Sequence, residues 1–134
     1  MTLVVDASVA AQWVLPEPQS DRANALLLNG EPLVAPDLVY AEIGNAIWKR
    51  GVQGQISTAD AVQALATAAG LFTALVPMAE LAARATEIAI TLKHPIYDCF
   101  YLALAERERA PLISADKRLI AAAKRAKVVE VKTL

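Results

Sequence analysis

Acidic side chains follow or open three of the apolar runs in the sequence. Asp6 comes directly after LVV, Asp98 opens the stretch DCFYLALA, and Asp116 lies two residues past PLIS. At such junctions an aspartate commonly caps a helix, because its carboxylate accepts hydrogen bonds from the free N–H groups of the first turn. Capping does not exclude a second role as a ligand, so both interpretations stay open for each aspartate.

A fourth acid, Glu42, lies inside a predicted helix, away from its ends. Its neighbours from Leu38 to Trp48 are nearly all apolar. The nearest polar residue on the same face of the predicted helix is Asn45, three residues later. An unpaired charge in apolar surroundings costs several kcal/mol or is neutralised by a raised pKa. Either Glu42 lies at a partly exposed helix edge, or it meets the other acids.

Four converging carboxylates would repel one another, and a divalent cation removes that repulsion. Carboxylates with few nitrogen or sulfur donors suit Mg²⁺ or Mn²⁺, while one His and one Cys are too few for a usual zinc site. Such an ion keeps several bound waters, lowers the pKa of one of them and stabilises charge on a phosphodiester. The chemistry indicated is hydrolysis of a phosphate ester.

Short apolar runs that predict strands alternate with helical patterns along the whole chain. The predicted strands are TLVV, LVAP, ALVP and PLIS, at residues 2–5, 33–36, 74–77 and 111–114. Capping residues, terminal cations and following Gly or Pro residues delimit the helices. They are predicted at residues 8–15, 19–29, 37–50, 57–72, 79–92, about 97–109 and 116–126, the last before the run VVEV.

This alternation predicts a three-layer α/β/α domain with a central, mainly parallel sheet of about four to five short strands. At 134 residues, the chain is expected to form one domain over residues 1–134. Ligands of open α/β sheets bind outside the carboxyl ends of the strands, where the strand order reverses. Asp6 and Asp116 both follow predicted strands, so both are expected at that edge.

The charges divide unevenly along the chain. Residues 1–92 hold 4 Lys and Arg against 9 Asp and Glu, a net charge of −5, and residues 93–134 hold 9 against 5, a net charge of +4. The basic C-terminal third is compatible with a polyanionic partner. Alternatively, Lys124, Arg125 and Lys127 form a solvated helix end, where cations suit the helix dipole.

Composition narrows the expected location of the protein. No apolar run reaches the roughly 20 residues of a membrane span, and Cys99 alone cannot form an internal disulfide. We therefore expect a cytoplasmic protein that does not cross a membrane. The hydrophobic fraction of 56% leaves apolar surface for a partner.

Four segments, taken in order, resemble the acidic motifs of PIN-domain ribonucleases. They are LVVDAS, YAEIGNAIWK, YDCFYLALA and LISADKRL, and the resemblance runs from Val4 to about residue 125. Each motif alone is weak, whereas all four at this spacing and in these strand and helix contexts are specific. The small size and the opening VVDAS are most similar to VapC-type toxins of toxin–antitoxin pairs.

The resemblance implies an Mg²⁺- or Mn²⁺-dependent endoribonuclease whose metal-binding, catalytic cluster consists of Asp6, Glu42, Asp98 and Asp116. It also implies supporting roles for the short polar side chains of Ser8, Asn45 and Ser114. For the two serines, local capping is an equally good account. Tyr97 and Tyr101 are interpreted as packing residues with their hydroxyls at the rim.

The last motif departs from the family pattern. Many relatives have Thr where this chain has Ser114, and some carry a further acid where Lys117 and Arg118 stand. The number of metal ions, one or two, therefore stays open. Lys117 and Arg118 are candidates for contacts with an RNA backbone, and a solvated surface is the alternative.

The resemblance further implies a homodimer, an RNA substrate such as a transfer RNA, inhibition of translation, and a VapB-type antitoxin. Such an antitoxin lays a helix or tail into an apolar groove and blocks the acidic site. Candidate residues for these apolar surfaces are Trp13, Val14, Leu15 and Trp48. Burial of the same residues in the core is the alternative.

Other classes fit the residues less well. Haloacid-dehalogenase-like phosphatases need a second Asp two residues after the first, where this chain has Ser8, and receiver domains need an acceptor Asp after the third strand, where ALVP is followed by Met78. The remaining alternative is a catalytically silent RNA- or protein-binding module of the same fold. Chelation of divalent ions would separate the two, because binding through Lys and Arg survives it and hydrolysis does not.

Overall fold

A five-stranded parallel sheet forms the centre of the structure, a computed structural model that describes residues 1–127 and 130–134. The strands are β1 (Leu3–Val5), β2 (Leu33–Pro36), β3 (Ala74–Val76), β4 (Leu112–Ser114) and β5 (Val131–Thr133). Their order across the sheet is β3-β2-β1-β4-β5, with every neighbouring pair parallel. The predicted fold class is confirmed.

Helices connect the strands, mostly within a few residues of the predicted limits. They are α1 (Ala7–Ala10), continued by a 3₁₀ turn (Ala11–Trp13), then α2 (Ser20–Leu28), α3 (Val39–Val52), α4 (Thr58–Gly70), α5 (Met78–Leu92), α6 (Ile96–Glu108) and α7 (Lys117–Ala126). None of the described helices is long and apolar enough to cross a membrane. In the run VVEV, Val128 and Val129 lie outside the described residues, and Val131 begins β5.

Helices cover both faces of the sheet. Every residue of β1, β2 and β4 is buried, which is the pattern of parallel strands with a helical layer on each side. Among the helices, α6 is the most enclosed, because seven consecutive residues, Cys99–Ala105, are buried. A helix that is buried on all sides lies inside the domain; α6 contacts β1, β2 and β4 and packs along α5.

One predicted cap belongs to a different helix. Asp37 was expected to open the helix that follows it, but α3 has no side-chain cap in the described structure. Instead, the Asp37 carboxylate accepts a hydrogen bond of 3.0 Å from the backbone N–H of Met78, the first residue of α5. Asp37 thus connects the end of β2 to the start of α5. The two residues are 41 positions apart in the sequence, so local spacing could not predict the contact.

Several large apolar residues of α3 and α4 are exposed, whereas those near residue 13 are not. Leu15 is buried, and Trp13 is half-buried, with its ring 5.2 Å from that of Phe72 and its indole N–H donating to the carbonyl of Ala23. Leu15 thus follows the core alternative, and Trp13 and Val14 are half-buried and packed against that core. Trp48, by contrast, is 58% exposed, as the surface assignment expected.

The enclosure of α6 predicts a large difference between two leucine truncations. Leu104→Ala, at a fully buried position of α6, should lower the free energy of unfolding by about 2–5 kcal/mol, because it removes packed methyl groups and leaves a cavity. Leu28→Ala, at an 86% exposed position of α2, should change it by less than about 0.5 kcal/mol. Urea denaturation measures both, and equal losses would contradict the assigned core.

Candidate active site

Asp6 and Asp116 lie at the carboxyl edge of two neighbouring strands. Asp6 directly follows β1, Asp116 lies two residues after β4, and these two strands are parallel with Val5 level with Ile113. The chain runs outward from β1 to β2 on one side, whereas β4 lies on the other side, so the strand order reverses here. This is the position at which open α/β sheets bind ligands.

The carboxylate of Asp6 is buried and held by two serines. The Ser8 hydroxyl donates to Oδ1 over 2.7 Å, the Ser114 hydroxyl donates to Oδ2 over 3.0 Å, and Asp6 is only 4% exposed. The same serine oxygens accept backbone N–H groups, from Ala115 in the case of Ser8 and from Asp116 in the case of Ser114. Both serines thus orient Asp6, and by accepting these N–H groups they also stabilise the turn after β4.

Asp6 holds its proton more tightly than an ordinary aspartate does. Its pKa is raised from 3.8 to about 7: burial raises it most, the two serine hydrogen bonds oppose that rise, and the nearby charges of Asp116 and Glu42 add to it. Desolvation is the largest of these causes, since a carboxylate in low dielectric is costly to ionise.

Glu42 lies in the first turn of α3 and is half-buried. The hydroxyl of Tyr101, on α6, donates to Glu42 Oε1 over 2.6 Å. Burial raises the pKa of Glu42, the charges of Asp98 and Asp116 add to that rise, and the Tyr101 hydrogen bond opposes it. Through these charge effects the four predicted acids share one electrostatic environment.

Asp98 occupies the first turn of α6 but does not cap it in the described structure, where Pro95 takes the capping position. Its Oδ2 lies 2.7 Å from Nε2 of His94, a hydrogen bond in which the ring N–H donates. The imidazole side chain is 9% exposed and the carboxylate 20%. His94 thus holds Asp98 at the start of the enclosed helix.

Asp116 caps a helix and lies near two of the other predicted acids. As the N-cap of α7, it accepts the backbone N–H of Arg118 over 2.8 Å and that of Leu119 over 3.5 Å. It is also close enough to Asp6 and Glu42 for its charge to raise both pKa values. Lys117 and Arg118 are exposed at the start of α7.

Two residues of the site were missed or underrated by sequence reasoning. Tyr101 was taken for packing with its hydroxyl at the rim; it is 1% exposed and its hydroxyl binds Glu42. His94 has no predicted role in the site. Tyr101 lies one helical turn after Asp98 in α6, so helical spacing from the predicted acid was the available signal for it, whereas His94 precedes the first residue of α6.

The site opens into a groove of about 820 Å³. Asp116, Glu42 and Ser8 line it at the acidic end, and Asn45, on the same face of α3 as Glu42, lines it as well. The structure thus places the predicted Ser8, Ser114 and Asn45 around the acids, with the serines bonded to Asp6 and Asn45 exposed in the groove.

The donor set fits a hard divalent cation by its chemistry. The charges of neighbouring acids help to raise the pKa values of Asp6 and Glu42, an effect that a cation would reverse, and carboxylate oxygens are the ligands of Mg²⁺ and Mn²⁺. Among the described residues, however, no three acidic, His or Cys side chains are already arranged around one metal position. Asp98 is turned to His94 and Asp116 to the N–H groups of α7.

A family model for the PIN domain matches residues 3–125. The chain belongs to the PIN domain family. It is similar to Ribonuclease VapC3 of Pyrobaculum aerophilum, with 32% identity over 121 residues that cover 89% of this chain and 92% of the relative. It is also similar to Ribonuclease VapC9 of Mycobacterium tuberculosis, with 34% identity over 117 residues and 87% of each chain covered.

A solved PIN-like structure matches the whole fold. A chain in the crystal structure of VapBC2 from Rickettsia felis, bound to a DNA fragment from their promoter, superimposes with a TM-score of 0.72 and 13% identity. The match covers 100% of this chain and 99% of that one. At this identity it supports the fold alone.

The raised pKa of Asp6 predicts a pH-dependent stability. Because the folded state binds this proton more tightly than the unfolded state does, the stabilisation is complete below the ordinary pKa of 3.8 and is lost as pH rises to about 7. In chelator, the free energy of unfolding of the wild type minus that of Asp6→Asn should fall over this range and then level off. Urea titrations at several pH values measure it; parallel curves would contradict the burial of Asp6.

The Tyr101 hydroxyl should matter far more than that of Tyr97. Tyr101→Phe removes the donor to Glu42, and a hydrogen bond to a charged group contributes about 1.5–3 kcal/mol. We expect a loss of stability of that order and a further rise in the pKa of Glu42, read by carboxyl NMR titration. Tyr97→Phe, at a 62% exposed position, is the control and should change neither.

Proposed function

We propose that this chain is a metal-dependent endoribonuclease, the toxin of a toxin–antitoxin pair that inhibits translation. The observation that carries the proposal is the position of Asp6 and Asp116 at the switch point of a PIN domain, with Glu42 near enough for the charges of Asp98 and Asp116 to raise its pKa. Two relatives that align along most of the chain are named ribonucleases. The proposal treats residues 1–134 as one PIN domain.

The proposed cofactor is Mg²⁺ or Mn²⁺, with Asp6, Asp98 and Asp116 as its principal ligands. When bound, such an ion lowers the pKa of a water molecule and stabilises the charge that develops on a phosphodiester. The carboxylates would then be ionised, because a nearby cation lowers their pKa. Asp6 would present its charge in a fixed direction, since both of its oxygens are held by serines.

In the proposed reaction, water attacks phosphorus in line with the leaving oxygen. A new phosphorus–oxygen bond forms to the water, which gives up one proton to solvent; the bond to the leaving oxygen breaks, and that oxygen takes up a proton from solvent. Glu42 orients the water through Oε2, because its Oε1 is already bound by Tyr101. Tyr101 remains a donor throughout, since burial and the Glu42 charge raise its pKa well above its usual range.

A homodimer and a VapB-type antitoxin are the proposed partners. The solved structure of VapBC2, a chain of which shares this fold, is bound to a DNA fragment from their promoter. On this chain, Tyr40, Trp48 and Val52 are exposed apolar residues along α3 and offer a surface for either partner. The proposed location is the cytoplasm and the proposed substrate a structured RNA such as a transfer RNA.

Cleavage of purified cellular RNA tests the proposed function. Wild-type protein without antitoxin should give discrete fragments with Mg²⁺ or Mn²⁺ and none with chelator. Asp98→Asn keeps the shape of the side chain and removes its charge. Loss of a residue that only supports a metal ligand typically lowers activity by roughly 10–100-fold. Because Asp98 is proposed as a ligand itself, the cleavage rate of Asp98→Asn should fall by more than that.

Asp21→Asn is the matched control, the same substitution at an exposed position in the first turn of α2. It should cleave at the wild-type rate. If folded wild-type protein cuts none of the RNA pool with either metal, the nuclease assignment fails and a silent binding module takes its place. Cleavage that Asp98→Asn leaves intact would reject the assigned site.

A further inference from the structure

The carboxylate of Asp98 has a single donor, which comes from the linker before its helix. Among the described residues, this carboxylate accepts one hydrogen bond, from Nε2 of His94 to Oδ2, while Oδ1 accepts none. Each of the other three acids of the site is also held, one by two serines, one by a tyrosine and one by backbone N–H groups. His94 therefore does for Asp98 what these donors do for the other acids.

The backbone on both sides of His94 is fixed, so the position of its ring is defined. α5 ends with Lys93 in the left-handed region, at φ 53°, and the N–H of Lys93 donates to the carbonyl of Ile90 over 3.3 Å. The N–H of His94 donates to the carbonyl of Ala89 over 3.1 Å. These two bonds form a Schellman motif, a common way to end a helix. Pro95 follows at the capping position of α6, and a proline disfavours helical backbone at the residue before it.

One oxygen of Asp98 is engaged and the other is free. An ionised carboxylate only accepts hydrogen bonds, so the ring nitrogen Nε2, 2.7 Å from Oδ2, is the donor. Asp98 is the more exposed partner of the pair. It is also close enough to Glu42 for its charge to raise the pKa of that residue. Oδ1 can therefore meet a ligand that approaches the acids while Oδ2 stays bonded to His94.

We propose that His94 is a positioning residue that holds Asp98 through Oδ2 and leaves Oδ1 as the oxygen available to the divalent cation. The inference rests on the proposed function and adds a residue to that same site. At metal sites, side chains that bond to a ligand fix its orientation, and their loss weakens metal binding. His94 acts through Asp98 and is not a ligand itself, because its Nε2 is bonded to the carboxylate.

Two other roles of His94 would have different effects on metal binding. If the imidazole held Asp98 away from the cation, the carboxylate would have to leave the ring before binding, and loss of the donor would strengthen metal binding. If the ring only filled space in the linker, loss of the donor would leave metal binding unchanged. Positioning alone predicts weaker binding, so the sign of the change in metal affinity separates the three roles.

Calorimetric titration of metal-free protein with Mn²⁺ measures this affinity without RNA or cleavage, and urea denaturation checks that each variant is folded. His94→Leu keeps a side chain of similar bulk and removes the donor, so it should weaken Mn²⁺ binding by roughly 10–100-fold. His94→Gln is the matched control, because its amide nitrogen can take the place of Nε2, and it should bind Mn²⁺ nearly as the wild type does. Unchanged or tighter binding by His94→Leu, or equal weakening by both variants, would overturn the proposal.

A second measurement needs no variant, because His94 is the single histidine of the chain. In wild-type protein labelled with ¹⁵N at histidine, the ring signals in an NMR spectrum belong to His94 alone. They should show the proton on Nε2 both without metal and at saturating Mg²⁺, since Asp98 keeps its bond to the ring while Oδ1 binds. A move of the proton to Nδ1, or loss of its hydrogen bond when Mg²⁺ is added, would reject the positioning role.

The two proposals fail in different ways. Wild-type protein that binds neither Mn²⁺ nor Mg²⁺ loses the metal-dependent nuclease and, with it, the role of His94. Wild-type protein that binds the metal and cleaves RNA, while His94→Leu binds Mn²⁺ as tightly, keeps the nuclease and loses the role of His94.

Discussion

The burial of one carboxylate, that of Asp6, is the constraint on which the rest of the site depends. Asp6 follows a strand that is covered on both faces, so its side chain has almost no contact with solvent. Other protein groups therefore have to donate the hydrogen bonds that the carboxylate needs. One donor comes from the turn after β1 and the other from the end of β4. Pairing of β1 with β4 is therefore a condition for the site as well as for the fold.

The enclosed helix α6 links this arrangement to the other acids. It carries Asp98 and Tyr101 one turn apart, and its buried surface fixes both against the sheet. A side chain on such an element has little freedom, which suits a site that needs defined geometry. Tyr101 then reaches across to α3 and fixes Glu42, so two helices that are distant in sequence act together.

Sequence reasoning predicted the parallel sheet and the position of Asp6 and Asp116 after two of its strands, because both follow from local patterns. Short apolar runs between helical segments define parallel strands, and Asp6 and Asp116 follow two of them directly. It failed where a partner comes from far along the chain: Asp37 binds the start of α5, and Leu15 packs into the core. The groove could not be foreseen either, since it depends on the Arg50–Glu17 pair that joins residues 33 apart.

The lone cysteine has a consequence for the redox behaviour of the protein. Cys99 follows Asp98, is fully buried, and its thiol donates to the carbonyl of Pro95. Burial and the Asp98 charge raise its pKa to about 11, so only about one thiol in ten thousand is ionised at pH 7. Oxidants and alkylating reagents can then react only when α6 opens locally. The rate of thiol modification therefore reports how often the helix that carries Asp98 leaves its packed position.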